Sequence, residues 1–109
     1  MPTEVMPQTT RVGAGFIGGG FMTRVHSQAA RSAGAELLGA SSRSPESARV
    51  AAEGYGLARA YEDLDALLAD DGIQVVHVCT PNATHAPIAI AALEAGKHVI
   101  CEKPLTTTA

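Results

Sequence analysis

Three groups of residues in this chain have types and spacings that could do chemistry. The first is a crowded glycine run, "GAGFIGGGFMT", from Gly13 to Thr23. Glycines let backbone approach a ligand closely, and the free N–H groups at a helix start hold anions, so such a run can bind phosphate. The second is Ser41, Ser42 and Arg43 in succession. Two hydroxyls and a guanidinium suit a phosphate ester. The third is Lys103, a charge set between the aliphatic stretch "HVIC" and Pro104. Each has a bland alternative: an ordinary turn, an arginine in solvent, a solvated lysine at a strand end.

The glycine run admits two dinucleotide-binding registers. Gly13-Ala14-Gly15-Phe16-Ile17-Gly18 matches G-x-G-x-x-G by letter. It leaves Arg11 and Val12 as the whole preceding strand and places Gly18, Gly19 and Gly20 in a helix. Each interior glycine costs a helix about 1 kcal/mol relative to alanine. The second register, Gly18-Gly19-Gly20-Phe21-Met22-Thr23, has Thr in place of the third glycine. It gives a strand from Arg11 to Ile17, a tight turn at Gly18, close backbone approach at Gly20 and a helix from Phe21. The second register is preferred. Its cofactor-contact residues are Gly18, Gly19, Gly20, Phe21 and Met22.

Bringing these groups together requires strands that end side by side. "RVGAGFI", "AELLGAS", "LARAY", "IQVVHVCT" and "KHVICEKP" read as strands. The first intervening helix starts at Phe21, has Met22, Val25 and Ala29 on one face, and stops at Gly34. The second opens with Ser44 as N-cap, Pro45 in the first position and Glu46 in the first turn, and ends at Gly54 or Gly56. The third, "EDLDALLAD", turns Leu64, Leu67 and Leu68 inward and has acids at its start. The fourth, "PNATHAPIAIAALEAG", follows a Pro-Asn turn and closes on Gly96. Strict alternation of aliphatic strands and helices predicts an α/β fold: a Rossmann-like, doubly wound parallel sheet with helices on both faces. Ligands of such sheets bind beyond the carboxyl ends of the strands. Gly18, Ser42, Thr80 and Lys103 all fall just after predicted strands.

The end of the second strand normally reads the adenosine ribose. An acid there bonds the 2′-hydroxyl and favours NAD, whereas an arginine suits the 2′-phosphate of NADP. The stretch "GASSRS", Gly39 to Ser44, holds no acid. Ser41, Ser42 and Arg43 therefore favour NADP over NAD.

The totals set the limits. A length of 109 residues suits one domain with one core. Apolar residues make up 46% of the chain but aromatics only 4%, so small aliphatic side chains must build that core. The formal net charge is −3 with no run of like charge, which argues against nucleic acid or an anionic membrane as partner. Cys79 and Cys101 belong to no CxxC pair, so neither a disulfide framework nor a zinc ribbon is expected. His26, His77, His85 and His98 show no metal-ligand spacing. "MPTEVMPQTT", residues 1–10, lacks an apolar h-region and a basic cluster and reads as a disordered leader, not a signal peptide. No apolar run approaches the roughly 18 residues of a membrane helix. A cytoplasmic protein is expected.

The stretch "CTPNATHAPIAIAALEAGKHVICEKPLTTT" is more specific. With "TPNATH" and "EKP" ending successive strands, and "GGGFMTRVH" at the glycine turn, the chain from Arg11 onward resembles the N-terminal domain of the Gfo/Idh/MocA oxidoreductases. The resemblance implies hydride transfer between NAD(P) and a sugar, polyol or related carbonyl or alcohol. It places Lys103 by substrate and nicotinamide as the catalytic residue, its ammonium bonding the reacting oxygen and easing alkoxide charge. It places Glu102 near the nicotinamide ribose. Cys79, Thr80, Pro81 and Asn82 would line the cofactor cleft, with His85 at the following helix start. Members of the family are about three times longer, and their second domain supplies the substrate pocket and the oligomer interface. This sequence, ending at Ala109, is expected to lack that domain. The expectation is an NAD(P)-binding domain over residues 11–109 that binds cofactor with negligible turnover, from a homo-oligomeric parent that takes a small-molecule substrate. The alternative is a dinucleotide-binding or redox-sensing module without catalysis, which would not need Lys103.

Overall fold

The computed structural model describes residues 11–80 and 85–101. The chain alternates as predicted: β1 (Gly13–Ile17), α1 (Phe21–Ser32), β2 (Glu36–Ser41), α2 (Pro45–Tyr55), β3 (Arg59–Ala60), α3 (Leu64–Leu68), β4 (Val75–Val78), α4 (His85–Glu94) and β5 (His98–Cys101). The strands form one sheet in the order β3-β2-β1-β4-β5, with every pairing parallel. The chain winds outward from β1 to β3, then returns to lay β4 on the other side of β1. The crevice between β1 and β4 is therefore the point where the winding reverses, where such sheets bind ligands.

The sheet divides the core into two layers. Ala14, Phe16 and Ala40 meet Ala30 of α1 and Ala51 and Ala52 of α2 on one face. Ile17, Val76 and Val78 meet Leu67 of α3 and Ala92 of α4 on the other, with Leu64 and Leu68 packed against them. Strand alternation explains the split, since neighbouring side chains of β1 point to opposite faces. Gly13 and Gly15 belong to this packing. A Cβ on Gly15 would stand 2.8 Å from Ile73 Cδ1, and one on Gly13 would stand 2.0 Å from Gly72 O. These glycines serve strand packing, and α1 begins at Phe21 as the second register requires.

Two local expectations are corrected. The inward face of α1 is not Met22, Val25 and Ala29 but Thr23, His26, Ser27 and Ala30. A helix lying close over small strand residues needs small side chains, and here the polar ones carry their own bonds. Thr23 Oγ1 donates to Gly18 O at 2.7 Å and Ser27 Oγ to Arg24 O at 2.9 Å. Strand lengths also differ. β3 is a two-residue edge strand, paired at Gly39–Arg59 and Ala40–Ala60 and flanked by bonds from Ala58 N to Leu37 O and from Tyr61 N to Ala40 O. β1 and β4 are likewise shorter than the runs read from sequence.

The helix boundaries have identifiable causes. Ser44 accepts from Ser47 N at 3.0 Å, Pro45 occupies the first turn, and Gly56 closes α2 in the left-handed conformation at φ 74°. Gly54 lies inside that helix. Asp63 caps α3 by accepting from Ala66 N at 2.8 Å. Gly96, at φ 84°, follows α4. Among the described residues no helix is long and apolar enough to cross a membrane.

Candidate functional site

The turn between β1 and α1 holds three consecutive glycines; the fold demands the first and crowds the second. Gly18 sits at φ +116°, and a Cβ there would lie 2.9 Å from Cys79 O. A Cβ on Gly19 would meet Ser47 Oγ at 3.1 Å and Ser42 Oγ at 3.2 Å. Gly20 is different. Its φ of −96° and ψ of −156° are open to any residue, and nothing stands within 4 Å of its missing Cβ. It is also the N-cap of α1, without a side-chain cap. A Ser or Asp there would cap the helix better by a few tenths of a kcal/mol. Glycine at this position leaves open space beside uncapped N–H groups, a cradle that fits a phosphate.

The turn opens into a cleft of about 1000 Å³ at the carboxyl ends of the strands. Gly18, Gly19, Gly20, Phe21, Met22, Ser41, Ser42, Arg43, Cys79 and Thr80 all line it. Residues from three strand ends thus meet in one place, as the strand-end argument expects. Ser41 is buried, Ser42 half-buried and Arg43 exposed. Pro81, Asn82, Glu102 and Lys103 lie outside the described residues; His85 is placed by its backbone as the first residue of α4. Among the described residues neither Cys79 nor Cys101 forms a disulfide, and Cys101 packs against the α3/α4 layer of the core.

Sequence reasoning missed part of the wall. Ser47, Glu62, Asp63, Leu64 and Ile88 also line the cleft. Ser42 Oγ and Ser47 Oγ lie 2.8 Å apart, so α2 contributes a third hydroxyl beside Arg43. Glu62 and Asp63 follow β3, and the strand-end rule that selected Ser42 would have selected them too. The end of β2 carries no acid, as read, but the cleft does. Its charge is mixed, with Arg43 on one element and two carboxylates on another.

Behind the turn lies a pair of buried imidazoles. His26 of α1 and His77 of β4 place their Nδ1 atoms 3.0 Å apart, so one must donate and the other accept. The His77 ring also stacks on Phe16, with centroids 4.8 Å apart. Burial, with the neighbouring His26 charge as a lesser cause, lowers the His77 pKa to about 4. His77 therefore stays neutral near pH 7. The two histidines are 51 residues apart in sequence, and no local spacing connects them. Among the described residues no group of three or more His, Cys, Asp or Glu is arranged to hold a metal.

Residues 12–109 match the sequence model of the Gfo/Idh/MocA proteins, described as an oxidoreductase family with an NAD-binding Rossmann fold. The chain belongs to this family. Levoglucosan dehydrogenase from Pseudarthrobacter phenanthrenivorans is 43% identical over 103 residues, covering 86% of this chain and 26% of that protein. D-xylose 1-dehydrogenase (NADP(+)) 2 from Haloferax volcanii is 42% identical over 74 residues, covering 68% of this chain and 23% of its own length. A solved levoglucosan dehydrogenase in complex with NADH and L-sorbose superimposes with a TM-score of 0.78 at 39% identity, over 89% of this chain and 28% of that one. The chain thus spans about a quarter of the length of the curated relatives it matches.

Proposed function

We propose that this chain is the cofactor-binding domain of an NAD(P)-dependent oxidoreductase acting on a sugar, polyol or related carbonyl or alcohol. The observation that carries the reading is Gly20. Its glycine is required by neither backbone conformation nor packing, yet it leaves the start of α1 open to the cleft. Gly18, Gly19, Gly20, Phe21 and Met22 would hold the pyrophosphate, and Ser41, Ser42, Arg43 and Ser47 the adenosine ribose. Cys79 and Thr80 would wall the nicotinamide side, joined by Pro81, Asn82, His85 and Glu102. When bound, the nicotinamide supplies or accepts hydride. Lys103 would hold the reacting oxygen and stabilise negative charge on it. Changing Lys103→Ala in the full-length enzyme should lower kcat by about a hundredfold or more while cofactor affinity stays unchanged. Unaltered turnover would remove Lys103 from the chemistry.

The preference for NADP over NAD is part of the proposal. It is supported by the hydroxyls of Ser42 and Ser47, 2.8 Å apart beside Arg43, and opposed by Glu62 and Asp63, which line the same cleft after the neighbouring strand β3. Arg43 stands next to Ser42 at the strand end, and the Asp63 carboxylate is already engaged in capping α3. The balance favours the 2′-phosphate. A cytoplasmic setting is supported by Cys79 and Cys101, neither of which is in a disulfide among the described residues. The parent would take its substrate, and assemble as a homo-oligomer, through regions beyond this chain.

A further inference from the structure

Every carbonyl of the glycine turn is held from the protein side. Thr23 Oγ1 donates to Gly18 O at 2.7 Å. The Tyr55 hydroxyl lies 3.3 Å from Gly19 O and 3.2 Å from Gly20 O. These distances are long for a hydroxyl bond, as expected for one proton shared between two acceptors. Gly18 N is spent on Ser41 O at 2.7 Å. Among the described residues no hydrogen bond occupies the N–H of Gly19, Gly20 or Phe21.

A planar trans peptide points its C=O and its N–H in opposite directions. Fixing the Gly18 carbonyl therefore aims the Gly19 N–H. Fixing the carbonyls of Gly19 and Gly20 aims the N–H groups of Gly20 and Phe21. Thr23 does the first from within α1. Tyr55 does the second from the far end of α2, reaching 35 residues back along the chain and sharing the Gly20 carbonyl with Arg24 N, which bonds it at 3.3 Å. Its backbone is pinned in turn, because Arg31 Nη2 donates to Tyr55 O at 2.7 Å and to Gly56 O at 3.3 Å. The half-buried ring packs against the α1/α2 layer. α2 itself needs no hydroxyl here, since it closes on Gly56.

We propose that Tyr55 is a positioning residue for a diphosphate ligand: its hydroxyl holds the Gly19 and Gly20 peptides so that the Gly20 and Phe21 N–H groups converge on the anion. This rests on reading the cleft as a dinucleotide site. Anion binding by neutral amides depends on preorganised dipoles, and a peptide free to rotate presents its acceptor as readily as its donor.

The test is Tyr55→Phe in the full chain, which removes one oxygen and keeps the ring. NADPH binding is followed by calorimetry. Binding of adenosine, which lacks phosphate, is followed by NMR titration. Amide hydrogen exchange is measured across residues 19–22. The expected result is NADPH affinity lowered about three- to tenfold, the worth of one modest hydrogen bond, with adenosine affinity unchanged and faster exchange at Gly20 and Phe21. Equal NADPH affinity in both proteins would overturn the role of Tyr55 and leave the cofactor reading intact. Parallel loss of adenosine and NADPH binding, or a large fall in Tm, would overturn it in favour of a packing role. Failure of the unsubstituted chain to bind NADPH would overturn both.

Discussion

His77 shows how one residue can be plain in the sequence and informative in the structure. Its pKa in the folded chain is about 4, below the ordinary 6.5. The unfolded chain therefore takes up a proton at a pH where the folded chain does not. The resulting sign is definite: stability is full above about pH 6.5 and falls as pH drops toward 4. With solvent screening allowed for, the loss is about 2 kcal/mol. Asp70 acts at lower pH, because the Tyr61 hydroxyl and the Gly72 N–H hold its carboxyl below its usual range. Urea denaturation between pH 7 and pH 4.5 should show the decline in the natural chain and a flatter profile in His77→Gln. Equal slopes would mean that His77 is not the group responsible.

Gly19 carries a second residue-scale prediction. A methyl group there would press on Ser42 Oγ and Ser47 Oγ, which already contact each other at 2.8 Å. Gly19→Ala should therefore displace this hydroxyl pair and weaken NADPH more than NADH. Isothermal titration with both nucleotides checks it, and equal losses would detach the serines from the 2′-phosphate.

At the scale of elements, the informative case is the start of α1. The sequence showed where the helix begins, because three glycines in its first turns would have cost too much. It misjudged which face turns inward. An apolar-face reading selects Met22, Val25 and Ala29, but the buried stripe is Thr23, His26, Ser27 and Ala30. Hydrophobicity cannot identify a face whose polar groups are satisfied by partners distant in sequence or by the turn itself. The cap of α2 was legible in Ser44, which bonds to the amide three residues on. Asp63 was read only as one of the acids at the start of α3, and the structure makes it the cap. Gly20 is the cap the fold leaves open. Gly20→Asp should raise apo stability by about 0.5 kcal/mol through capping and the helix dipole. It should also abolish dinucleotide binding, since the carboxylate would stand where the phosphate belongs. Thermal melts and calorimetry on one variant read both effects. Retained binding would contradict the placement of the pyrophosphate.

For the whole molecule, the alternation of strands and helices made the fold class legible, and the strand-end rule singled out Gly18, Ser42 and Thr80, which line one cleft. That rule was applied too narrowly. Applied after β3, it would have found Glu62 and Asp63, which place negative charge in the cleft. The surface holds one more consequence. α4 is apolar nearly all round, and Ile90 and Leu93 are 54% and 59% exposed on its outer side. A helix of that composition is normally covered. Replacing both by Glu should reduce self-association of the 109-residue chain, measured by light scattering, without altering nucleotide affinity. Unchanged scattering would show that this face does not drive association.

The most direct test of the central claim is a calorimetric titration of the folded chain with NADPH and with NADH. The mixed cleft charge makes the comparison decisive, because Arg43 and the paired serines must outweigh Glu62 and Asp63. The account predicts that both nucleotides bind and that NADPH binds at least about tenfold tighter, a difference of about 1.4 kcal/mol. Tighter NADH binding would contradict the assignment of the 2′-phosphate site. Binding of neither, by a chain shown to be folded, would contradict the reading of the glycine turn as a pyrophosphate cradle.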